Sequence, residues 1–177
     1  MTEPDLRPLY ERDPAAWRDH LAVGNATQAR KRVAADALIR DEHGRVLLVD
    51  PTYKPAWDTP GGMAEANEPP IDALRRELAE ELGLAITGPL VLVCVDWEPP
   101  RDPWDDLVIF VFDAGTLAPD QTAALHLADA ELSAFEFCTP DQAQARLRPY
   151  IWTRLAAAID AAARGGVAYL HNGHPIA

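Results

Sequence analysis

Positive charge is scarce in this chain of 177 residues, where 16 lysines and arginines stand against 28 aspartates and glutamates. The resulting formal net charge of −12 argues against a nucleic-acid partner, because non-specific binding to nucleic acid requires a basic surface. The sequence also lacks an apolar run of about 18 residues, the minimum for a membrane-spanning helix, so we expect no membrane partner. A small anionic substrate remains compatible with the composition, since metal ions and local arginines can dominate the charge of a cleft.

Cysteine is rarer still, since Cys94 and Cys138 are the only two in the sequence. Both lie in apolar, strand-like surroundings, and we expect buried thiols rather than a disulfide. The acidic stretch MTEPDLRPLY at the start has no apolar segment typical of a secretory signal. Together these features indicate a soluble protein of a reducing, cytoplasmic compartment. The length and the 48% hydrophobic content predict one globular domain with a sizeable core.

The pattern of apolar and turn residues predicts an α+β fold, in which helices cover a mixed β-sheet on both sides. Strands are expected at residues 33–39, 46–49, 90–96, 107–112 and 132–138, and helices at residues 13–31, 69–82 and 140–164. Asp13 is a candidate N-cap of the first helix, and Gly83 is a candidate C-terminal stop of the second. In the third helix, Arg146, Arg148 and Arg154 are expected on a solvated face.

The stretch between residues 62 and 84 reads GMAEANEPPIDALRRELAEELGL and concentrates acidic side chains on one helix. Glu77, Glu80 and Glu81 have i, i+3, i+4 spacing, so their carboxylates share one helix face. Like charges at this spacing repel each other by roughly 0.2–0.5 kcal/mol per pair, and a bound cation offsets that repulsion. Hard oxygen ligands of this kind suit Mg²⁺ or Mn²⁺. The alternative is a solvated charged face on an amphipathic helix, whose buried stripe would run from Ile71 to Leu82.

The same stretch, which we call the box, resembles the Nudix box of the Nudix hydrolase superfamily at every position that defines this motif. The matching residues are Gly62, Glu68, Arg76, Glu77, Leu78, Glu80, Glu81, Gly83 and Leu84. The resemblance implies an α/β/α sandwich with a mixed β-sheet between helices. It also implies a metal-dependent pyrophosphohydrolase, which cleaves the phosphoanhydride of a nucleoside diphosphate linked to another moiety.

The resemblance implies a metal site made by Glu77 and Glu81, with Glu80 ranked next and the backbone carbonyl of Gly62 completing the ligand shell. The expected cofactor is Mg²⁺, with Mn²⁺ as the alternative. Arg76 is expected to act by orienting a glutamate rather than by contacting the substrate.

Further acidic residues also have expected roles. Glu68 lies at the start of the helix and is expected to cap free N–H groups there. The general base is either a glutamate of the box or a carboxylate on a later loop, where Glu131 is the candidate and Asp129 its competitor. Glu98 is a further metal-site candidate of lower rank.

The substrate is less well indicated than the reaction. Trp57 and Trp97 are candidates to stack on a nucleobase, as is Trp104, while packing or loop anchoring is an equal alternative for each. Pro99 lies where the family has a proline associated with ADP-ribose-type substrates, which slightly favours ADP-ribose or a nucleotide sugar. The alternatives are removal of damaged (deoxy)nucleoside triphosphates and, third, a non-catalytic module that senses a nucleotide.

The sequence predicts a helical N-terminal extension at residues 1–32, a hydrolase domain at residues 33–165 and a tail at residues 166–177. In the tail, the stretch from His171 to His174 predicts a surface turn. A homodimer is a further expectation by analogy with the family.

Overall fold

The computed structural model describes residue 5 and residues 7–176. The extreme ends of the predicted extension and tail, residues 1–4, 6 and 177, lie outside these described residues. The chain divides into two compact units, Met1–Arg30 and Lys31–Ala177.

The N-terminal unit is helical, with α1 at Leu9–Arg12 and α2 at Pro14–Thr27. The predicted N-cap is confirmed, because the Asp13 carboxylate accepts hydrogen bonds from the N–H groups of Ala15 at 3.1 Å and Ala16 at 2.9 Å. The predicted helix at residues 13–31 is therefore correct at its start and ends four residues early.

The second unit is built on an eight-stranded sheet. Seven strands follow the order β6-β2-β1-β5-β4-β7-β8, and the eighth, β3, also pairs with β1. The strands are β1 Arg32–Arg40, β2 Val46–Pro51, β3 Gly61–Met63, β4 Val91–Glu98, β5 Leu107–Thr116, β6 Leu132–Cys138, β7 Ala168–His171 and β8 His174–Pro175. Strand β1 is parallel to β5 and β4 is parallel to β7, whereas the other pairs are antiparallel. The sheet is therefore mixed, as predicted.

Helices cover both faces of this sheet. They are α3 Pro70–Leu82, α4 Pro119–Ala124, α5 Pro140–Arg146 and α6 Pro149–Arg164. Alternate residues of β1 enter different cores: Leu38 packs in a cluster with α6, while Ile39 packs in another with α3. Because side chains alternate between the two faces, the sheet packs against helices on both sides. The predicted α+β class with a sheet between helices is therefore confirmed.

The region predicted as one helix at residues 140–164 contains two. Pro149 removes a backbone donor and restricts the residue before it, and Arg148 accordingly has extended φ and ψ of −61° and 148°. The prediction of a single helix was therefore wrong.

The tail also differs from its predicted role as a separate segment, because β7 pairs with β4 inside the sheet and belongs to the same compact unit. The predicted turn is confirmed between β7 and β8, which pair antiparallel. Cys94 and Cys138 are buried and free, as expected. In the described part of the chain, no helix is both long enough and apolar enough to cross a membrane.

Candidate active site

Helix α3 presents the box glutamates because its opposite face is anchored in the core. Leu74, Leu78 and Leu82 are fully buried on that face. The helix ends at Leu82, and the next residue, Gly83, has a left-handed φ of 63°. The N–H of Leu84 then donates to the carbonyl of Leu78 at 3.0 Å. The predicted start and stop of this helix are confirmed.

Strand β3 brings the glycine loop against the acidic face of α3. Gly62 pairs with Ala35 of β1, and a Cβ atom at residue 62 would lie 2.5 Å from Cδ of Glu77. No residue other than glycine therefore fits at this position without displacing the side chain of Glu77. The backbone of Gly62 and the carboxylate of Glu77 are therefore direct neighbours.

Arg76 lies at the centre of the box. Its Nε and Nη2 each donate to a Glu68 oxygen at 3.0 Å, and its Nη1 donates to Glu77 at 2.9 Å and Glu80 at 3.0 Å. Nη2 also donates to the carbonyl of Met63 at 3.1 Å. These contacts raise the pKa of the Arg76 guanidinium further above its ordinary value, with the hydrogen bonds to Glu68 as the main cause. One side chain thus fixes three glutamates and the end of the glycine loop.

Glu68 is not a helix cap, which corrects the prediction. The residue before α3 is Pro69, and no side chain caps this helix. Instead the Glu68 carboxylate binds Arg76 and accepts a hydrogen bond from the N–H of Glu65 at 2.8 Å. The hydrogen bond with Arg76 is also the main reason that the pKa of Glu68 is lowered. Glu68 therefore closes the loop before the helix.

The carboxylate of Glu81 in the box is buried and only partly hydrogen-bonded. Only 5% of the residue is exposed, and its Oε2 has no hydrogen-bond partner among the described residues. Burial raises the pKa of Glu81 to about 8; the N–H of Gly61 opposes this shift, and the carboxylates of Glu77, Asp129 and Glu131 add to it. Burial also raises the pKa of Glu77, against the effect of Arg76.

The loop between α4 and β6 brings two further carboxylates to this cluster. The N–H groups of His126 and Ala128 donate to the last carbonyls of α3, those of Leu82 at 3.3 Å and Glu81 at 3.0 Å. Within the loop, the N–H of Glu131 donates to the carboxylate of Asp129 at 2.9 Å. Both loop carboxylates are exposed and near enough to raise the pKa of Glu81.

These residues fit a divalent cation by two observations. Glu81 has a buried oxygen without a partner, and the glycine at residue 62 leaves its backbone free to approach the carboxylates. As they stand, no three acidic, histidine or cysteine side chains of the described residues converge on one point. Arg76 explains this arrangement, because it draws Glu77 and Glu80 toward itself. The box therefore offers carboxylate oxygens of the kind that divalent cations bind, two of which are held by Arg76 in the metal-free protein.

A cavity of about 570 Å³ opens beside Gly62 and Glu81. Two arginine–aromatic stacks lie in its lining: Arg32 is 4.6 Å from the ring centre of Trp104, and Arg101 is 4.5 Å from that of Tyr150. Pro99 and Glu98 also line it.

Trp57 and Trp97, the predicted substrate contacts, are not in this lining. Trp57 packs against the core and lies under the guanidinium of Arg146 at 4.6 Å. Trp97 donates from Nε1 to the Asp106 carboxylate at 2.7 Å. Trp57 is thus used in packing and Trp97 in anchoring a loop, whereas Trp104, the third candidate, lines the cavity.

A buried charge cluster, which we call the floor cluster, consists of Asp36, Glu98 and Arg154 in the cavity lining and of Asp96, which does not line the cavity and binds Arg154. Arg154 is only 4% exposed, so its predicted place on a solvated face was wrong. Its charge is balanced by Asp96 at 2.8 Å, by Glu98 and by Asp36 at 3.9 Å. Burial raises the pKa of Asp36 to about 7, with the charge of Asp58 adding to the shift and that of Arg154 opposing it.

The sequence profile of the NUDIX domain matches residues 30–159. The chain belongs to the NUDIX domain family. Members of this family generally use divalent metal ions, in agreement with the oxygen ligands of the box.

Two curated relatives of this NUDIX domain match over short segments. An RNA pyrophosphohydrolase from Halorhodospira halophila is 44% identical over 55 residues, which are 31% of this chain and 30% of that protein. An 8-oxo-dGTP diphosphatase from Proteus vulgaris is 39% identical over 62 residues, 33% of this chain and 55% of that protein. The chain thus spans about half or less of these relatives.

Solved structures match over a larger part of the NUDIX domain. The NUDIX domain of Shewanella oneidensis NrtR, complexed with ADP ribose, has a TM-score of 0.63 at 20% identity and covers 83% of this chain and 97% of that chain. A MutT NUDIX hydrolase from Burkholderia pseudomallei has a TM-score of 0.61 at 25% identity, and the match covers 73% of this chain and 98% of that chain. At 20% identity, the likeness to the first shows the fold alone.

The floor cluster of this NUDIX domain was not predicted, although its residues leave a signal in the sequence. Asp36 and Asp96 interrupt otherwise apolar strands, in the stretches AADALI and VCVDWE. Arg154 shares the i, i+3, i+4, i+7 positions with Ile151, Leu155 and Ala158, which are the buried face of α6. Charged residues of opposite sign at buried positions of three elements indicate a common ion pair.

Proposed function

We propose that this NUDIX domain is a metal-dependent pyrophosphohydrolase, which cleaves the phosphoanhydride of a nucleoside diphosphate linked to another moiety. The observation that carries the proposal is the buried, unpartnered Oε2 of Glu81 at the edge of an open cavity. A buried carboxylate with further carboxylates beside it is unfavourable unless a cation neutralises it. The intact box supports catalysis over a purely sensing role.

In this proposal, Glu77, Glu80, Glu81 and the carbonyl of Gly62 hold Mg²⁺, since hard oxygen ligands suit this ion. When bound, such an ion supplies positive charge to a diphosphate and makes water a stronger acid. Arg76 keeps Glu77 and Glu80 oriented before the ion arrives. Binding of the ion then requires these two carboxylates to turn from Arg76 toward it.

Residues around the cavity supply the remaining functions. Arg32 and Arg148 line it without a carboxylate partner among the described residues, so their charges are free to bind phosphate oxygens. Trp104, exposed at 62%, offers a flat surface at the cavity. Glu131 or Asp129 accepts the proton of the attacking water, because both lie on the loop that is tied to the end of α3.

ADP-ribose or a nucleotide sugar remains the favoured substrate. Support comes from Pro99 in the cavity lining and from a structural neighbour complexed with ADP ribose. The second candidate is a (deoxy)nucleoside triphosphate, which the similarity to an 8-oxo-dGTP diphosphatase supports.

The test is product release from ADP-ribose, a nucleotide sugar and the deoxynucleoside triphosphates, each with and without Mg²⁺. Wild type is expected to hydrolyse at least one of them only with metal, and Glu81→Gln is expected to lose this activity with the fold retained. Glu42→Gln is the matched control, because Glu42 is exposed on the turn between β1 and β2. Turnover that needs neither the metal nor Glu81 would overturn the proposal.

A further inference from the structure

One guanidinium nitrogen of Arg154 in the floor cluster donates no hydrogen bond to a described residue. Arg154 donates from Nε to Asp96 at 2.8 Å and from Nη2 to Glu98. Its Nη1 donates to none of the residues that the structure describes and lies 3.9 Å from Oδ2 of Asp36. Arg154 lines the cavity, so this N–H group is available to a ligand there.

Asp36 adds an acceptor at the same place. Its Oδ2 accepts a hydrogen bond from the Thr59 hydroxyl at 2.9 Å, whereas Oδ1 receives none within the described range 7–176. The residue is 9% exposed and lines the cavity. Asp36 therefore offers a free acceptor, Oδ1, on the same carboxylate whose other oxygen lies 3.9 Å from the free donor Nη1 of Arg154.

The position of Arg154 is restrained by contacts with distant parts of the chain. Asp96 is fully buried, and both its oxygens accept from the N–H of Gly173, at 3.1 and 2.9 Å. A Cβ atom at Gly173 would collide with the backbone of Tyr150, so the turn after β7 packs closely on the start of α6. Because these contacts restrain Arg154, the floor is ordered before a ligand binds, and ordered polar groups give specificity.

We propose that Oδ1 of Asp36 and Nη1 of Arg154 together bind the edge of a nucleobase, on which a hydrogen-bond donor lies beside an acceptor. The apolar side chains of Leu107, Ile109 and Ile151 also line the cavity and suit the faces of a flat ring. This inference rests on the proposed function and specifies the nucleoside end of its substrate. Asp36 is then a specificity-determining residue.

Binding without turnover tests this separately from hydrolysis. Calorimetry at pH about 8.5, above the pKa of about 7 of Asp36, measures Kd for AMP, GMP, CMP, UMP and ribose 5-phosphate. The tightest nucleotide is then compared with a derivative that lacks the edge donor, such as purine riboside 5′-phosphate for AMP. We expect that derivative to bind roughly 10- to 100-fold more weakly, as for loss of a hydrogen bond to a charged group.

Asp36→Ala is expected to reduce this preference to less than about threefold, because the charged acceptor is gone. Arg154 keeps Asp96 and Glu98 as partners in the variant, so the fold is retained. Asp105→Ala, an exposed residue of the cavity lining, is the matched control and keeps the full preference.

Three results would overturn the inference. They are equal binding of the nucleotide and its derivative, equal binding of ribose 5-phosphate, and an Asp36→Ala variant with unchanged preference. None of them concerns metal-dependent hydrolysis, so the proposed function can stand when this inference fails. Conversely, an unaltered base preference in a protein without hydrolytic activity would refute only the proposed function.

Discussion

Replacing Glu81 with glutamine is expected to stabilise the metal-free protein at alkaline pH while it removes metal binding. The reason is the pKa of Glu81, which burial raises from the ordinary 4.5 to about 8 in the folded chain. Between these two values the unfolded chain has released the proton that the folded chain keeps. The free energy of unfolding therefore falls as pH rises through this interval, and the loss is complete above about pH 8.

The magnitude follows from the size of the pKa change. Each pH unit between the two pKa values corresponds to about 1.4 kcal/mol, so a shift from 4.5 to about 8 sets an upper limit near 5 kcal/mol. Solvent at the open cavity screens part of this interaction, and we expect on the order of 2 kcal/mol. For a chain of this size, that corresponds to a Tm difference of roughly 4–8 °C.

The assay is thermal unfolding in EDTA from pH 5 to pH 9, for wild type, Glu81→Gln and the exposed control Glu42→Gln. The Tm of Glu81→Gln relative to wild type should increase with pH, while the control shows no such trend. Added Mg²⁺ should raise the Tm of wild type at pH about 8 and leave that of Glu81→Gln unchanged. A Tm difference that is constant across the pH range would refute the reasoning.

Three further substitutions test the site. Gly62→Ala should lower kcat by roughly 100-fold, because its Cβ displaces the glutamate that lies 2.5 Å away, while Gly88→Ala, which has open space around it, should keep kcat. Arg76→Lys should lower both kcat and Tm, since a lysine cannot replace the guanidinium contacts to three glutamates; unchanged kinetics would contradict the central role of Arg76. Trp104→Ala should raise KM about tenfold, whereas Trp57→Ala should lower Tm and leave KM unchanged; the reverse pattern would restore the original prediction for Trp57.

The box could be predicted from the sequence because its signals are local. The apolar stripe, the prolines at the start and Gly83 at the end all lie within residues 62–84, and helix α3 follows them closely. Strands β1, β2 and β4 to β6 were likewise found within a few residues, since each is a run of apolar residues bounded by turns.

The cavity could not be predicted in the same way, because its residues come from several distant elements. The sequence analysis placed Arg154 in solvent because an arginine on a helix is usually exposed. Its burial is explained only by its acidic partners Asp36 on β1 and Asp96 on β4. Strand β3, Gly61–Met63, contains two glycines and is stabilised by its pairing with β1 rather than by its own residues. Trp57 and Trp97 were indistinguishable from Trp104 without knowledge of which ring packs into the core.

The turn at Gly173 makes the floor cluster depend on the end of the chain, whereas the box does not. Glu77 lies one residue from Arg76 and Glu68 lies eight residues from it, whereas Gly173 and Asp96 are separated by 77 residues. Segments with few buried contacts open first, and β7 and β8 are short strands in which only Leu170 is buried. Local opening of the last two strands would leave the box assembled and loosen Asp96 and Arg154. Mild heating or a low concentration of denaturant should therefore broaden substrate choice before it abolishes hydrolysis.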